Sequence, residues 1–367
     1  MHFSIFSKFA VSLSALSIFV AVIGDANAAS LKKPAVQVRK VSLQQQDAGE
    51  FANFAQWKEV SDFLDQMAAK HEFDRTELEA TLGKVQYVDR AIQLMKPAPP
   101  GRPKNWQAYR ARFIDPVRIA AGVAFWDEHA DALARAETQF GVPADIIVGI
   151  IGVETVYGRN TGNFRVMDAV TTLAFAYPDT PNRSARMRYF RGELENTLLF
   201  ARESAIDPFS LLGSYAGAIG WPQFMPGSIR RFAVDFNNDG KIDLRDSPVD
   251  AIGSVANFLV QHGWKSGEPT AFPVSVAADS NIWEAFIGQG LEAKFTLEEL
   301  KAAGVSPAME LPSDMPYGLV DLQNGLEPTE YWLGTNNFFA ITKYNRSFFY
   351  AMSVIDLGRA VRTARSR

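Results

Sequence analysis

The stretch that decides the fold runs from Ile146 to Gly158 and reads IIVGIIGVETVYG. Its apolar residues follow one another at steps of three and four, which predicts a helix with one buried face. Pro143 and Asp145 precede this helix as a start signal, and Gly158 is placed to end it. Glu154 falls in the last turn on the apolar face, where burial and the carbonyl end of the helix dipole both raise the pKa of a carboxyl group.

Glu154 is therefore the first candidate for catalysis, because a carboxyl group that stays protonated near neutral pH can act as a general acid. The alternative is structural. Carboxyl groups are rarely buried without a partner, and in that case Glu154 pairs with Arg159 or with another cation. The features of the rest of the sequence decide between these two interpretations.

Composition excludes some classes of function. The chain has 367 residues, of which 47% are hydrophobic, enough for a packed core in one large domain or two smaller ones. A formal net charge of -4 and the lack of a basic run argue against binding of nucleic acid. The sequence contains no cysteine, so disulfides and thiol chemistry are excluded.

Residues 1–28 have the pattern of a secretory signal peptide. Lys8 precedes an apolar segment, Phe9–Ile23, and Ala26–Ala28 has the small residues of a cleavage site. An uncleaved membrane anchor is the weaker alternative, because the apolar segment is short and contains serines. We therefore expect secretion to the periplasm with no membrane anchor after the signal is removed, and a flexible polar lead-in over 29–50.

Helical spacing of apolar residues recurs through most of the remaining chain. It predicts helices over Trp57–Lys70, Trp106–Phe140 and Phe348–Val361, whereas short segments such as Thr270–Val276 have the pattern of strands. The expected fold is therefore mainly α with a few short strands.

A second motif, residues 213–226, is rich in glycine and alanine and also carries aromatic, amide and hydroxyl side chains. Small residues allow a backbone or a ligand to approach closely, and Trp221 or Phe224 can stack on a sugar ring. Ser214 and Gln223 can hydrogen-bond the substituents of that sugar. Tight helix packing is an equal alternative, because the same small residues permit it.

Residues 235–246 read DFNNDGKIDLRD and follow the pattern of an EF-hand calcium loop. Oxygen-bearing side chains occupy positions one, three, five, nine and twelve of the loop, and glycine occupies position six. Position twelve is Asp246 rather than glutamate, which weakens the case for bidentate ligation. A calcium ion here is expected to be structural, and an acidic turn without a metal is the alternative.

Five motifs in this order closely resemble the lytic murein transglycosylase B family. The motifs are GVETVYG at 152–158, GSYAGAIG at 213–220, QFMP at 223–226, the loop at 235–246 and YNRS at 344–347. The resemblance extends from about Trp57 to Leu357, which is almost all of the chain after the predicted signal peptide.

The resemblance implies a lysozyme-like catalytic domain over 51–360 with an inserted EF-hand-like calcium loop at 235–246. Its helical N-terminal part spans about 51–140, and its catalytic core spans about 141–360. The implied reaction cleaves the β-1,4 bond between N-acetylmuramic acid and N-acetylglucosamine in peptidoglycan glycan strands. It proceeds without water and leaves a 1,6-anhydromuramoyl end.

The resemblance also implies roles for single residues, with Glu154 as the only catalytic carboxylate, first acid and then base. The implied substrate-binding residues are Ser214, Gln223, Tyr344, Asn345 and Tyr350, with Tyr157 and Phe224 as weaker candidates. The implied metal ligands are Asp235, Asn237, Asp239, Lys241 through its backbone carbonyl, and Asp246. No organic cofactor is expected, and proteins of cell-wall synthesis are candidate partners.

One segment departs from the family pattern. The family usually carries a basic pair after Tyr177-Pro178, whereas this chain has Asp179-Thr180, so wall contacts are not expected from that loop. Two other functions stay open. A hydrolytic muramidase needs a second carboxylate, for which Asp168 is nearest in sequence, and a non-catalytic glycan-binding or calcium-sensing protein needs none.

Overall fold

The part of the chain that the computed structural model describes comprises residues 57–97, 101 and 103–367. The predicted signal peptide, 1–28, and the lead-in, 29–50, lie outside the described residues, as do residues 51–56 of the predicted catalytic domain.

Helices make up most of these residues. In chain order they are α1 (Lys58–His71), α2 (Arg75–Leu82), α3 (Asp89–Met95), α4 (Trp106–Arg110), α5 (Pro116–Glu128), α6 (Ala130–Phe140), α7 (Ala144–Thr155), α8 (Val166–Ala176), α9 (Arg183–Glu203), α10 (Pro226–Phe232), α11 (Pro248–Gln261), α12 (Leu297–Ala302), α13 (Asn336–Tyr344) and α14 (Phe348–Arg365). The strands are short: β1 (Phe164–Arg165), β2 (Leu212–Gly213), β3 (Ala271–Val276), β4 (Val305–Pro307), β5 (Gly318–Asn324) and β6 (Glu327–Gly334). The prediction of a mainly α fold with a few short strands is confirmed.

The predicted helix Trp106–Phe140 is wrong in its continuity, because the chain forms α4, α5 and α6 over this range. Asp115 starts α5 as its N-cap, and its side chain accepts a hydrogen bond from Arg118 N. Pro116 takes the first helical position, so the preceding residue is biased away from helical geometry and α4 cannot continue through it.

The helix that carries Glu154, α7, ends at Thr155, three residues before the predicted stop at Gly158. Val156 and Tyr157 both have positive φ angles, 53° and 55°, which bulky side chains rarely adopt. Thr155 stabilises this turn, because its Oγ1 accepts a hydrogen bond from Gly158 N at 3.0 Å and donates one to Trp221 O at 2.9 Å. Glu154 still lies in the last turn, as the sequence predicts.

Contacts between residues group the described chain into two compact units. The first comprises the described residues of Ala98–Gly162 with Ala218–Arg367, and the second comprises those up to Pro97 with Asn163–Gly217. The division into a helical part, 51–140, and a catalytic core, 141–360, stays a prediction.

In the first unit, α7 and α14 pack backbone to backbone as an antiparallel pair. Glycines make this possible, because a Cβ atom would lie 2.3 Å from Val354 O at Gly149 and 2.2 Å from Asp145 O at Gly358. The pairing advances by four residues in opposite directions along the two helices. Continued to the end of α7, it brings Tyr350 to the last turn of that helix.

The same unit contains a four-stranded antiparallel sheet in the order β4-β3-β6-β5. In the β5–β6 hairpin Val320 pairs with Trp332, and in the β3–β6 pair Pro273 lies opposite Trp332. One face of the sheet packs on an apolar cluster, here called the sheet cluster. Its buried residues are Leu297, Leu300, Val305, Leu311, Tyr317, Leu319 and Leu333. Both α4 and α14 pack against β5.

In the second unit, α8 and α9 form the main helix pair, and β1 pairs with β2. Asp168, the second carboxylate that a hydrolytic muramidase would need, lies in this unit and is only 4% exposed. It forms an ion pair with Arg165 at 2.6 Å and accepts a hydrogen bond from Gln86 N at 2.9 Å. These partners hold Asp168 in a structural role within its own unit.

Candidate active site

Glu154 meets a tyrosine from the other end of the sequence. Tyr350 lies in the first turn of α14, and its hydroxyl donates a hydrogen bond of 2.6 Å to Glu154 Oε1. Ser347 is the N-cap of α14, and its Oγ accepts a hydrogen bond from Tyr350 N at 3.3 Å. Capping and the close α7–α14 packing therefore fix the tyrosine against the carboxyl group.

The environment of Glu154 favours its neutral form. Burial raises the pKa of Glu154 to about 7, and the hydrogen bond from Tyr350 acts in the opposite direction. No cation among the described residues contributes to this pKa, and Arg159 is exposed to solvent, so the structural alternative of an ion pair is not realised. Glu154 itself is partly exposed, which leaves the carboxyl group accessible to a substrate.

Two further tyrosines extend the site around Glu154. Tyr344 stacks on Tyr350 with ring centroids 6.3 Å apart, and its hydroxyl donates to Pro222 O at 2.5 Å. Burial raises the pKa of Tyr344 and of Tyr350 well above the usual value, and the charge of Glu154 adds to both shifts. Tyr109 of α4 has its pKa raised to about 12 by burial, with a further contribution from Glu154. All three hydroxyls therefore stay protonated at neutral pH.

The helical pattern over Trp106–Phe140 indicates no more than a packing role for Tyr109. The period of a helix pattern cannot show that this residue reaches a carboxyl group 45 positions further along the chain. The position of this tyrosine just after the Pro/Gly-rich segment 97–103 is the one hint that the sequence offers.

Two amide side chains lie on segments next to these tyrosines. Asn345 follows α13, and its Oδ1 is buried with no hydrogen-bond partner within the described part of the chain. Gln223 has a positive φ of 51°, and its Nε2 donates to Thr161 O at 3.1 Å and to Gly220 O at 2.9 Å. Asn345 thus presents its Oδ1 as an acceptor without a partner in the described chain. Gln223 presents its side-chain carbonyl oxygen as an acceptor, because its amide nitrogen is bonded to two backbone carbonyls.

The remaining predicted substrate-binding residues are placed differently. Phe224 is 2% exposed and packs beneath Tyr344 with ring centroids 5.7 Å apart, so its face is covered by protein. Tyr157 is 7% exposed, and its hydroxyl lies next to Gly122 and Gly152 inside the helix packing. Ser214 belongs to the second unit, where its carbonyl accepts a hydrogen bond from Gly217 N at 2.9 Å.

Trp221, predicted as a sugar-stacking residue, connects the end of α7 with the loop 235–246. Its backbone N donates to Leu244 O at 2.8 Å and its indole Nε1 donates to Arg245 O at 2.9 Å. Its own carbonyl accepts the hydrogen bond from Thr155 described above. The turn after Glu154 and the predicted calcium loop are thus joined through one residue.

Asp250 organises the loop 235–246 from its inner side, a role that the sequence pattern did not indicate. It is fully buried in the first turn of α11. Its Oδ1 accepts hydrogen bonds from Phe236 N at 2.8 Å and Asn237 N at 3.1 Å, and its Oδ2 accepts one from Asp243 N at 2.9 Å. A carboxylate seven residues after Asp243 is therefore the anchor of the loop.

Three of the predicted metal ligands lie together in the first half of this loop. Asp235 Oδ1 and Asn237 Oδ1 both accept a hydrogen bond from Asp239 N, at 3.1 and 3.0 Å, so oxygens of the first half of the loop lie together. Lys241 N in turn donates to Asp239 Oδ1 at 2.9 Å. Among the described residues, no three or more histidine, aspartate or glutamate side chains lie close enough together to hold a metal ion. The donor chemistry fits calcium, and the first half of the loop has the required arrangement.

A comparison with known families assigns most of the chain to one family. The family model described as transglycosylase SLT domain matches residues 53–359. The chain belongs to this family. Its SLT domain thus includes the acid at the end of α7, the tyrosines of α13 and α14, and the loop 235–246.

Individual relatives of this SLT-domain protein are similar over most of its length. The membrane-bound lytic murein transglycosylase B of Escherichia coli (strain K12) is 43% identical over 328 residues, which cover 87% of this chain and 86% of the relative. The structure of the E. coli lytic transglycosylase Slt35 in complex with calcium has a TM-score of 0.75 and 43% identity, covering 86% of this chain and 96% of that one. SltB3 from Pseudomonas aeruginosa in complex with NAG-anhNAM-pentapeptide has a TM-score of 0.68 and 28% identity, covering 83% and 79%.

These findings confirm the predicted family, the lysozyme-like mainly α fold class and the enzyme class, a peptidoglycan lytic transglycosylase. They overturn the predicted localisation, a periplasmic protein without a membrane anchor, because the E. coli relative is named membrane-bound. A positive charge followed by a short apolar segment occurs both in signal peptides that are cleaved and in segments that stay attached to the membrane. This pattern therefore does not distinguish a secreted protein from a membrane-attached one. Among the described residues no single helix is long and apolar enough to cross a membrane, and α6 with α7 meets that test only as a pair bent by 117°.

Proposed function

We propose that this SLT-domain protein cleaves peptidoglycan glycan strands non-hydrolytically and that Glu154 alone serves as acid and then as base. The observation that carries the proposal is the partly exposed carboxyl group at the end of α7, with a pKa of about 7 and a single tyrosine donor. A carboxyl group with this pKa is populated in both protonation states near neutral pH. One residue can therefore give a proton in the first step and take one back in the second.

In the first step the protonated Glu154 donates its proton to the glycosidic oxygen between N-acetylmuramic acid and N-acetylglucosamine as that bond breaks. The N-acetyl carbonyl of the muramoyl residue stabilises the electron-poor anomeric carbon. In the second step the Glu154 carboxylate removes the proton from the 6-hydroxyl of the same sugar, and that oxygen attacks the anomeric carbon. The proton is returned, no water is consumed, and a 1,6-anhydromuramoyl end results.

The polar groups around Glu154 support a role in substrate binding. Asn345 Oδ1 is a buried acceptor without a protein partner in the described chain, which suits the N–H of an N-acetyl group. Gln223 also offers its carbonyl oxygen, because its amide nitrogen is bonded to backbone carbonyls. The Tyr344 and Tyr350 hydroxyls donate to Pro222 O and Glu154 Oε1, so toward a substrate they offer their oxygens as acceptors. Ser214 stays a predicted substrate contact.

Calcium is proposed as a structural ion of the loop 235–246, bound by Asp235, Asn237, Asp239, the Lys241 carbonyl and Asp246. The calcium complex of Slt35 supports this proposal, as does the close placement of the first three side chains. The ion would hold the loop whose Leu244 and Arg245 carbonyls bind Trp221. It would take no part in proton transfer.

The proposal is tested by mass spectrometry of the products that the protein releases from purified peptidoglycan. The wild-type protein is expected to give anhydromuramoyl ends, and Glu154→Gln is expected to lose at least about 1,000-fold in rate. Glu128→Gln, which alters an exposed carboxylate of α5, is the matched control and should keep full activity. Reducing muramoyl ends would instead show hydrolysis, and no cleavage by any form would leave a glycan-binding protein.

A further inference from the structure

A groove of about 410 Å³ lies on the sheet of the first unit, lined by residues 273–276 of β3 and 329–332 of β6. This volume is in the range of sites that bind small molecules. The groove involves neither Glu154 nor the loop 235–246, so the reaction described above gives it no role. It is called the sheet groove below.

Strand alternation shows which side chains face the sheet groove. Along β3, Val274 and Val276 pack against the sheet cluster, whereas Pro273 and Ser275 are exposed. Pro273 lies directly opposite Trp332 in β6, so Trp332 shares the outer face. The outer face therefore carries an indole ring that is partly exposed to solvent.

The outer face is open over β3, β6 and β4, since Ser306 of β4, which pairs with the exposed Ser275, is exposed as well. Over β5 it is covered, because α4 and α14 pack there and Val320 and Leu322 are fully buried. The strand pairing places Val320 beside Trp332 and Leu322 beside Glu330. Trp332 and Glu330 thus lie along the line where the helices stop and the open part of the sheet begins.

The carboxylate of Glu330, at the border between the covered and the open part of the sheet, is held in place by a neighbouring side chain. Gln107 of α4 donates from its Nε2 to Glu330 Oε1 at 2.6 Å, which fixes the carboxylate beside the tryptophan. An aromatic face next to a fixed carboxylate and a serine hydroxyl suits a pyranose ring, whose C–H face packs on the indole while its hydroxyls donate to the carboxylate. A phosphate or another anion is disfavoured by Glu330.

The sheet groove and the active site are connected through α4. Gln107 of this short helix contacts Glu330 of the sheet groove. Tyr109, two residues later, lies near enough to Glu154 for the charge of that carboxyl group to raise the pKa of the tyrosine. We infer that the sheet groove binds a sugar residue of the same glycan strand, remote from the bond that is cleaved. This inference rests on the proposed function, and it makes Trp332 a determinant of preference for long strands.

The test compares Trp332→Ala with wild type on two peptide-free glycan substrates, a strand just long enough to fill the site around Glu154 and a long strand. Loss of the indole platform should lower kcat/KM for the long strand about 10-fold through KM, with the short strand unchanged. Trp332→Phe, which keeps an aromatic face, should restore most of the preference. Trp126→Ala is the control, because Trp126 is a partly exposed tryptophan of α5 outside the groove.

Equal losses on both strands, or no loss on either, would overturn the inference. Thermal unfolding of each variant shows whether the sheet is intact. If the alanine variant unfolds, Glu330→Gln, which removes the charged acceptor for the sugar hydroxyls, is tested on the same two strands and should lower kcat/KM for the long strand alone. Failure of the proposed function is recognised separately, because it would appear as unchanged cleavage of the short strand by Glu154→Gln.

Discussion

Two helix ends in the same unit hold a carboxylate in opposite ways. Glu154 lies at the carbonyl end of α7, where the helix dipole disfavours negative charge, and it receives one hydrogen bond, from Tyr350. Asp250 lies in the first turn of α11, where the dipole favours negative charge, and it receives three backbone N–H groups of the loop 235–246.

The comparison shows that burial alone does not make a catalytic acid. Asp250 is fully buried, yet every oxygen faces fixed donors, so its charge is satisfied and the residue serves as an anchor. Burial raises the pKa of Glu154 to about 7, and its one side-chain donor, Tyr350, offsets this only in part, so its proton is held near neutral pH. The number of hydrogen-bond donors around a buried carboxyl group, and their direction, thus decide whether it acts as a catalytic acid or as a structural anchor.

The largest effect that tests this comparison is expected at Asp250. Asp250→Asn replaces an acceptor oxygen by an NH₂ group that faces a backbone N–H, and the free energy of unfolding should fall by roughly 3 kcal/mol. Urea unfolding with a chelator present measures it. Asp246→Asn, an exposed change in the same loop, should stay within about 0.5 kcal/mol of wild type. Similar stabilities of the two variants would contradict the anchor role.

The next effect concerns Glu154 and the pH dependence of stability. Burial raises the pKa of Glu154 in the folded protein to about 7, above its unfolded value, so its contribution to stability is full at low pH and is lost as pH rises through about 7. Glu154→Gln does not ionise, so its stability relative to wild type should increase by roughly 3 kcal/mol between pH 4 and pH 8. Denaturant titrations of both proteins at both pH values check this. If the difference in unfolding free energy between the variant and wild type is the same at the two pH values, the pKa of Glu154 is not raised in the folded protein.

A smaller effect is expected from the single donor of Glu154. Tyr350→Phe removes the hydrogen bond that lowers the pKa of Glu154, so this pKa should rise. Because the acid must be protonated to act, the alkaline limb of the kcat/KM profile should move to higher pH, while the rate at the optimum falls about 10-fold. Tyr317→Phe is the control, since Tyr317 also donates from a buried ring, to Pro312 O, but far from Glu154 in the sheet cluster. A shift to lower pH in Tyr350→Phe would refute the assignment.

The smallest effect is expected from calcium, which would add a partner on the outer side of the loop that Asp250 holds from inside. At a free calcium concentration about five times the dissociation constant, unfolding should cost about 1 kcal/mol more. Calorimetric titration and thermal unfolding measure this. Asp239→Asn should abolish the gain and leave the metal-free stability nearly unchanged. An equal gain in that variant would place the ion elsewhere.

Much of the site was predictable because its patterns are local. The helix of Glu154, the loop 235–246 and the motif YNRS at 344–347 are each read from a few neighbouring residues. The roles of Phe224 and Tyr157 were not readable in this way. An aromatic residue in a glycine-rich motif is compatible with a sugar platform and with core packing, and only the surrounding side chains distinguish them.

The sequence by itself determined that a carboxyl group would end an apolar helix, that an acidic loop would follow, and which family the chain resembles. Only the tertiary structure decided how far the pKa of that carboxyl group rises, because burial by distant segments raises it to about 7 and a donor 196 positions away, Tyr350, lowers it. Gly149 and Gly358 bring α7 and α14 together closely enough for this contact. A pKa depends on the groups within a few ångströms in space, and local sequence patterns do not specify which distant residues those will be.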